Sequence, residues 1–281
     1  MEQIYHALRV LNQYDVHIAY NLLMFEPDTI LYDILINLRF MEKHIENPFN
    51  FCRAEAYAGT GLEAKLRAEG RLLGDMFGFD YRLKDPRSEA FHQIANYAFF
   101  DRNFSDYGLH YFNMEVDFYF QLLRRFNPDL LSQTLRASVR NFIKRTNLDT
   151  YECLCQIYDF VATEDNLDYP EVRAFSLEMR RQVDERGRSL HREGEAILNR
   201  LTSTFANQEK TTPLHRKSLL ANGLSFLATR PLPYNGVDQL GQLEFISEGS
   251  EESAEPLEFF GTASGPVPYS EFKKRLSSQN E

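Results

Sequence analysis

The chain has 281 residues, 43% of them hydrophobic, and a formal net charge of −10. The length and the apolar content suffice for a sizeable core and exclude wholesale disorder, and the negative charge argues against nucleic acid as the main partner. Three cysteines are too few for a disulfide framework, and no apolar run reaches the length of a membrane span, so we expect a soluble protein of the reducing cytoplasm without nucleic-acid or membrane partners.

The first 85 residues alternate between helix and strand patterns. Apolar side chains three and four positions apart indicate helices, and aromatic-rich runs bounded by Pro or Gly indicate strands. The predicted helices span residues 2–13, 29–44 and 61–70, and the predicted strands span residues 16–25 and 49–57. Because helices alternate with parallel strands in α/β proteins, residues 1–85 are expected to form an α/β unit.

From residue 86 onward nearly all of the signal is helical. Pro86, Pro128 and Pro170 mark helix boundaries. The predicted helices span residues 86–103, 114–126, 130–146, 148–163 and 170–201. We therefore expect a mostly α-helical domain over residues 86–205, followed by a weakly structured, acidic tail over residues 206–281.

Five segments of the first 110 residues occur in a recognisable order. They are DVHIAYNLLMFEPDT at 15–29, FCRAEAYAGT at 51–60, GRLLGD and DYRLKDPR within 70–87, and DRNFSDYGL at 101–109. In content and order they resemble the C-terminal part of radical S-adenosylmethionine (radical SAM) proteins of the cobalamin-binding kind. The resemblance covers residues 1–128 of the chain.

The resemblance does not include the N-terminal, catalytic part of proteins in that family, which is termed the front portion. The CxxxCxxC loop that holds the 4Fe–4S cluster is not in the sequence, and neither is a counterpart of the N-terminal cobalamin-binding domain. The resemblance implies an α/β partial (βα) barrel remnant followed by a mostly α-helical domain. It also implies S-adenosylmethionine as a cofactor, with the 4Fe–4S cluster and cobalamin present only through a partner, such as a cluster-bearing front portion.

The end of the second predicted strand is the first candidate site. Arg53 and Glu55 lie two positions apart, so a strand places them on one face, where a barrel interior tolerates them only if they are paired or contact a polar ligand. The resemblance places this strand end near bound S-adenosylmethionine, with Tyr57, Gly59 and Thr60 lining the same region. A structural ion pair at the barrel end is the alternative interpretation.

The end of the first predicted strand is the second candidate site. Asn21, Met24 and Glu26 lie at or just past this end, where α/β barrels place ligands. The resemblance implies that they contact the adenosine part of the cofactor. A third group is expected to lock a loop through hydrogen bonds, with cover of a substrate or cofactor as the alternative, and it comprises Asp80, Tyr81, Arg82, Asp85 and Arg87.

No motif in the sequence makes a self-contained active site. Cys153 and Cys155 are two residues apart on a predicted helix and point to different faces, unlike the cysteines of CxxC metal sites. Walker loops, GxSxG elbows, GxGxxG turns and HExxH pairs do not occur. We therefore predict no catalytic residue and no metal ligand in this chain, and enzymatic activity only with a cluster-bearing partner. The alternative is a non-catalytic accessory or interaction protein descended from the same family.

Overall fold

The computed structural model of the chain describes residues 2–14, 16–105 and 108–209. Its elements are, in chain order, α1 (Glu2–Gln13), β1 (Tyr20–Phe25), α2 (Leu31–Lys43), β2 (Phe49–Arg53), α3 (Gly61–Ala68), β3 (Leu72–Asp75), β4 (Gly78–Tyr81), α4 (Pro86–Phe104), α5 (Leu109–Phe126), a 3₁₀ turn (Pro128–Leu130), α6 (Gln133–Thr163) and α7 (Tyr169–Glu209). The predicted acidic tail lies outside the described residues, except that residues 206–209 continue α7.

The strands β1 and β2 form a parallel pair whose register places Tyr20 opposite Phe49. The amide of Tyr20 donates to the carbonyl oxygen of Pro48 (3.2 Å), so this amide faces β2. Since the backbone groups of successive strand residues face opposite sides, those of Asn21 and Leu23 face away from β2. The outer edge of β1 therefore carries backbone groups that β2 does not pair.

Both strands are shorter than the sequence predicts. The first begins at Tyr20 rather than residue 16, and the second ends at Arg53 rather than residue 57. The last link between the two chain segments is the Ala54 amide, which donates to the carbonyl oxygen of Phe25 (3.1 Å). Beyond it the chain turns toward α3, and residues 54–57 do not continue the strand.

The helices α1 and α2 lie on one face of the parallel pair. Tyr20 packs edge-on against Phe40 of α2, with 5.3 Å between the ring centroids, and Leu8 of α1 belongs to the same cluster. The opposite face is termed the open face, and its side chains are Asn21, Leu23, Asn50 and Cys52. Leu23 on this face is 55% exposed. Asn103 of α4 touches its rim by donating to Asn50 Oδ1 (2.9 Å).

A short antiparallel hairpin, β3–β4, follows α3 where the sequence predicts a loop. Its register pairs Leu72 with Tyr81 and Asp75 with Gly78. Gly74 adopts a φ of +73°, and a Cβ atom there would collide with the carbonyl oxygen of Gly78, so a glycine is required at this position. The hairpin brings Tyr81 back to the ends of β1 and β2.

The core runs without a break from the parallel pair into the later helices. Phe25 of β1 contacts Phe91 of α4, with 5.8 Å between ring centroids, and Phe51 of β2 contacts Phe99 edge-on at 5.4 Å. Buried side chains of α6 and α7, such as Tyr158, belong to the same cluster. Residues on either side of residue 85 thus share one hydrophobic core.

The long helix α6 corrects the prediction of two helices over residues 130–146 and 148–163. The polar residues near position 147 are buried within one continuous helix. Asn147 donates from Nδ2 to the carbonyl oxygens of Ile45 (2.7 Å) and Asn47 (2.8 Å). The polar side chain therefore anchors α6 to the segment before β2 instead of ending the helix.

Within the described residues the protein is mostly helical, with only two small two-stranded sheets. The expected α/β partial barrel is represented by one parallel pair, which by itself does not form a barrel wall, so the barrel remnant stays a proposal. Among the helices that the structure describes, none is both long enough and apolar enough to cross a bilayer.

Candidate functional site

The carboxyl ends of β1 and β2 are closed by the side chain of Tyr81. Its hydroxyl lies 2.6 Å from the carbonyl oxygen of Ala54 and 3.0 Å from that of Phe25, and the residue is 2% exposed. Burial raises the pKa of Tyr81, so the hydroxyl remains protonated and donates to these oxygens. This contact connects residues far apart in the sequence, and no local pattern predicts it.

Arg53 belongs to the same closure. Its Nη1 donates to the carbonyl oxygen of Tyr81 (3.0 Å), its Nη2 pairs with Asp80, and its guanidinium lies 4.8 Å from the centroid of the Tyr81 ring. Glu55 is exposed and accepts a hydrogen bond from the hydroxyl of Tyr57. Arg53 and Glu55 do not share a strand face, because β2 ends at Arg53, and the ion-pair partner of Arg53 is Asp80.

The turn at residues 57–63 caps α3. Thr60 donates from its hydroxyl to the carbonyl oxygen of Tyr57 (2.7 Å) and accepts from the amide of Glu63 (3.2 Å). Gly59 has a φ of +79° and donates its amide to Glu63 Oε2 (3.1 Å). Arg67 and this amide hold the pKa of the Glu63 carboxyl below its usual range. The polar groups of Gly59 and Thr60 are thus used within the turn.

The three candidate residues of the first strand occupy different environments. Asn21 lies on the open face and donates from Nδ2 to Cys52 Sγ (3.2 Å). Met24 is fully buried in the core. Glu26 is exposed, and its backbone amide donates to the hydroxyl oxygen of Thr29 (2.9 Å). The structure therefore brings Asn21 and Glu26 to the surface near the sheet and places Met24 in the interior.

The loop between the hairpin and α4 is held by hydrogen bonds, which confirms the prediction for this segment. Asp85 caps α4 by accepting from the amide of Ser88 (3.0 Å), and Arg87 donates to the carbonyl oxygen of Glu164 (3.0 Å). The sequence analysis missed Arg71, which pairs with Asp28 (2.9 Å). A basic residue directly after Gly70 carried no periodic or motif signal of such a contact.

Few of these residues offer polar groups to S-adenosylmethionine. Arg53 and Tyr81 close the strand ends, and Gly59 and Thr60 cap α3, so their polar groups are not available to a nucleoside in this arrangement. Asn21, Glu26 and Glu55 keep exposed polar atoms. In the part of the chain that the structure describes, no three His, Cys, Asp or Glu residues are grouped to hold a metal ion. The candidate residues do not form a complete cofactor site.

The imidazole of His92 lies close to this end of the sheet. It packs against the ring of Phe25, with 4.9 Å between ring centroids, and its buried Nδ1 has no hydrogen-bond partner among the described residues. Burial, together with the charge of Arg53, lowers the pKa of His92 to about 3. The folded protein therefore holds this imidazole neutral under conditions in which an unfolded chain protonates it.

This burial predicts a loss of stability in acid. The ordinary pKa of 6.5 falls to about 3 on folding, so the unfolded state binds the proton first and stability is lost as the pH falls below about 6.5. Between about pH 7.5 and about pH 5, His92 is expected to contribute about 2 kcal/mol to this loss. Denaturant unfolding of His92→Leu at both pH values should show the loss reduced by that amount. His6 is exposed, and His6→Leu is the control. If His92→Leu lost as much stability between the two pH values as the parent protein, the prediction would be contradicted.

The contacts of Tyr81 at the ends of β1 and β2 are also expected to stabilise the fold. Replacing Tyr81 with phenylalanine removes the donor from two carbonyl oxygens that it covers, and the free energy of unfolding is expected to fall by about 1–3 kcal/mol. Chemical denaturation measures the change. The matched control is Tyr57→Phe, whose ring is 63% exposed and for which a change below about 0.5 kcal/mol is expected. Equal effects of the two substitutions would show that Tyr81 does not hold the strand ends.

Comparison of the chain with protein-family models, curated proteins and solved structures finds no match.

Proposed function

We propose that the chain is the C-terminal portion of a radical SAM enzyme of the cobalamin-binding kind and acts with a separate, cluster-bearing front portion. The observation that carries the proposal is the outer edge of β1 beside the open face, which pairs with no strand among the described residues. In the family that the sequence resembles, a front portion supplies the strands that precede this position. The chain would contribute barrel wall and a helical cap.

The parallel pair supports this proposal because two parallel strands make an incomplete sheet. Parallel strands are usually buried on both faces and belong to larger sheets, whereas within residues 2–209, as far as the structure describes them, β1 and β2 carry helices on one face only. The outward backbone groups of Asn21 and Leu23 have the geometry to pair with a further strand. The exposed Leu23 side chain would be covered by the same partner. A partner strand would pair with the outward backbone groups and cover the Leu23 side chain at the same time.

The chemistry of the complete enzyme would come from the partner. In this family the 4Fe–4S cluster supplies the electron that cleaves S-adenosylmethionine. Asn21, Glu26 and Glu55 of this chain keep polar atoms that a complete barrel would place near its mouth. No catalytic step is assigned to them, and the purified chain alone is expected to form no 5′-deoxyadenosine.

A second candidate function is a non-catalytic accessory or interaction protein of the same descent. The closed strand ends favour it, because Tyr81 and Arg53 occupy with internal contacts the region where a barrel enzyme binds its ligand. In this case the open edge would bind another protein without restoring an active site.

Anaerobic affinity purification of the tagged chain from its native cell distinguishes the two functions. The co-purifying proteins are identified by mass spectrometry, and iron and cobalt are quantified. A partner with a CxxxCxxC loop and about four iron atoms per complex, as one 4Fe–4S cluster requires, would support the enzyme portion. Recovery without iron, either alone or with partners that lack such a loop, would overturn it and favour the accessory protein.

A further inference from the structure

A cavity of about 320 Å³ lies between α7 and the junction of α4 and α5. Its walls are Asp101, Arg102, Gly108, Leu109, Val183, Asp184, Gly187, Arg188, His191 and Arg192. The α7 residues recur every three to four positions, so one face of that helix forms a whole wall. A volume of this size accommodates a small organic molecule.

The charges of this cavity are only partly neutralised by the protein. Arg102 is paired with Asp149, and Asp101 is paired with Arg180. Asp184 lies 3.9 Å from Arg180, and burial together with the charge of Asp101 holds its pKa above the usual range. Arg180 and, at the outer end of the wall, Arg188 act against this rise, so Asp184 partly balances the charge of Arg188.

Arg188 and Arg192 are the basic side chains at that outer end. Both are exposed, and neither forms an ion pair or a hydrogen bond with a residue of the described chain. They lie four positions apart on one helix face, where like charges repel each other. A bound anion would remove this repulsion, and guanidinium groups bind carboxylates and phosphates through two parallel hydrogen bonds.

A second feature of this wall is Gly187, which leaves open space beside the helix. A glycine inside a long helix lowers its stability relative to alanine, so it usually has a packing reason. Gly194 has such a reason, because a Cβ atom there would lie 2.6 Å from the ring of Phe142. A Cβ atom at Gly187 would meet nothing within 4 Å. The contacts of the described residues do not require this glycine, and the space beside it belongs to the cavity.

We propose that this cavity binds a small organic anion. Its carboxylate or phosphate group would contact Arg188 and Arg192, and its apolar body would lie against Leu109 and Val183 beside the bare backbone of Gly187. The site is separate from the edge of β1, so the inference does not depend on the radical SAM proposal.

Isothermal titration of the full-length chain with phenyl phosphate, benzoate and inorganic phosphate tests this site. Phenyl phosphate or benzoate is expected to bind saturably with a dissociation constant below about 1 mM, and the tighter of the two identifies the anionic group. Inorganic phosphate is expected to bind more weakly than phenyl phosphate, because it lacks the apolar body. Absence of saturable binding, or equal binding of inorganic and phenyl phosphate, would overturn the proposal.

Variants then locate the binding. The double substitution Arg188→Gln/Arg192→Gln is expected to weaken binding about tenfold or more, while Arg173→Gln/Arg200→Gln, with the same charge change elsewhere on α7, should leave it unchanged. Gly187→Leu fills the cavity and should abolish binding without lowering the melting temperature, since leucine favours helix. Equal weakening by the two arginine pairs, or normal binding by Gly187→Leu, would contradict the assignment.

Discussion

Replacing Asp149 with leucine is expected to lower the free energy of unfolding by about 3–5 kcal/mol. Asp149 lies inside the helical part on α6, where it pairs with Arg102 and with Nε of Arg186 (2.5 Å). The side chain of Arg102 is only 4% exposed. Without Asp149 this buried guanidinium has no carboxylate partner in the described part of the chain, and that uncompensated charge is the source of the expected loss.

The other contacts of Arg102 explain why the charge cannot move to water. Its Nη2 donates to the hydroxyl of Thr150 (3.0 Å) and to the carbonyl oxygen of Thr146 (3.1 Å). These contacts fix the guanidinium between α4 and α6, and they occupy the hydrogen atoms of Nη2 but do not balance its charge. A second substitution, Arg102→Met in the Asp149→Leu background, removes the charge and is expected to recover part of the lost stability.

Glu152→Leu provides the control for this prediction. Glu152 also pairs with Arg186 (2.5 Å), but its side chain is 47% exposed, so water screens the interaction. We expect a change below about 1 kcal/mol in urea unfolding of this variant. If Asp149→Leu costs no more than Glu152→Leu, or if adding Arg102→Met deepens the loss, the buried pair is not what holds α4 to α6.

The elements that sequence reasoning found are those with a strong local signal. The helix α4 was predicted to within one residue, because Asp85 caps it and Pro86 occupies its first position. The strand β1 was recognised from its apolar run but begins four residues later than predicted. Strand ends depend on the partner strand, and residues 16–19 of the chain have the composition of a strand without pairing as one.

The features that sequence reasoning missed depend on contacts between distant residues. The hairpin strands have four residues each, too few for a periodic pattern, and Met76 and Phe77 at its turn are not typical turn residues. At the candidate site, Arg53 was singled out as a charge that needs a partner or a polar ligand. Its partner Asp80 lies on the hairpin, so the pairing is invisible without the fold.

The proposed partner interaction predicts the largest functional effect. Leu23→Lys places a charge on the open face beside the outward backbone groups of β1, where lysine opposes the addition of a strand. If the front portion pairs with this edge, we expect its recovery in affinity purification, and the iron that it carries, to fall about tenfold or more. Because Leu23 is 55% exposed, the variant is expected to fold as the parent does.

Leu177→Lys separates an edge effect from a general effect of added charge. Leu177 lies on α7, is 44% exposed, and undergoes the same substitution away from both sheets. Loss of the partner with Leu23→Lys but not with Leu177→Lys would place the contact at the edge of β1. Equal recovery in both variants would mean that the partner binds elsewhere. The open edge would then be a solvated feature of a stand-alone protein, and the argument for a completed barrel would lose its physical basis.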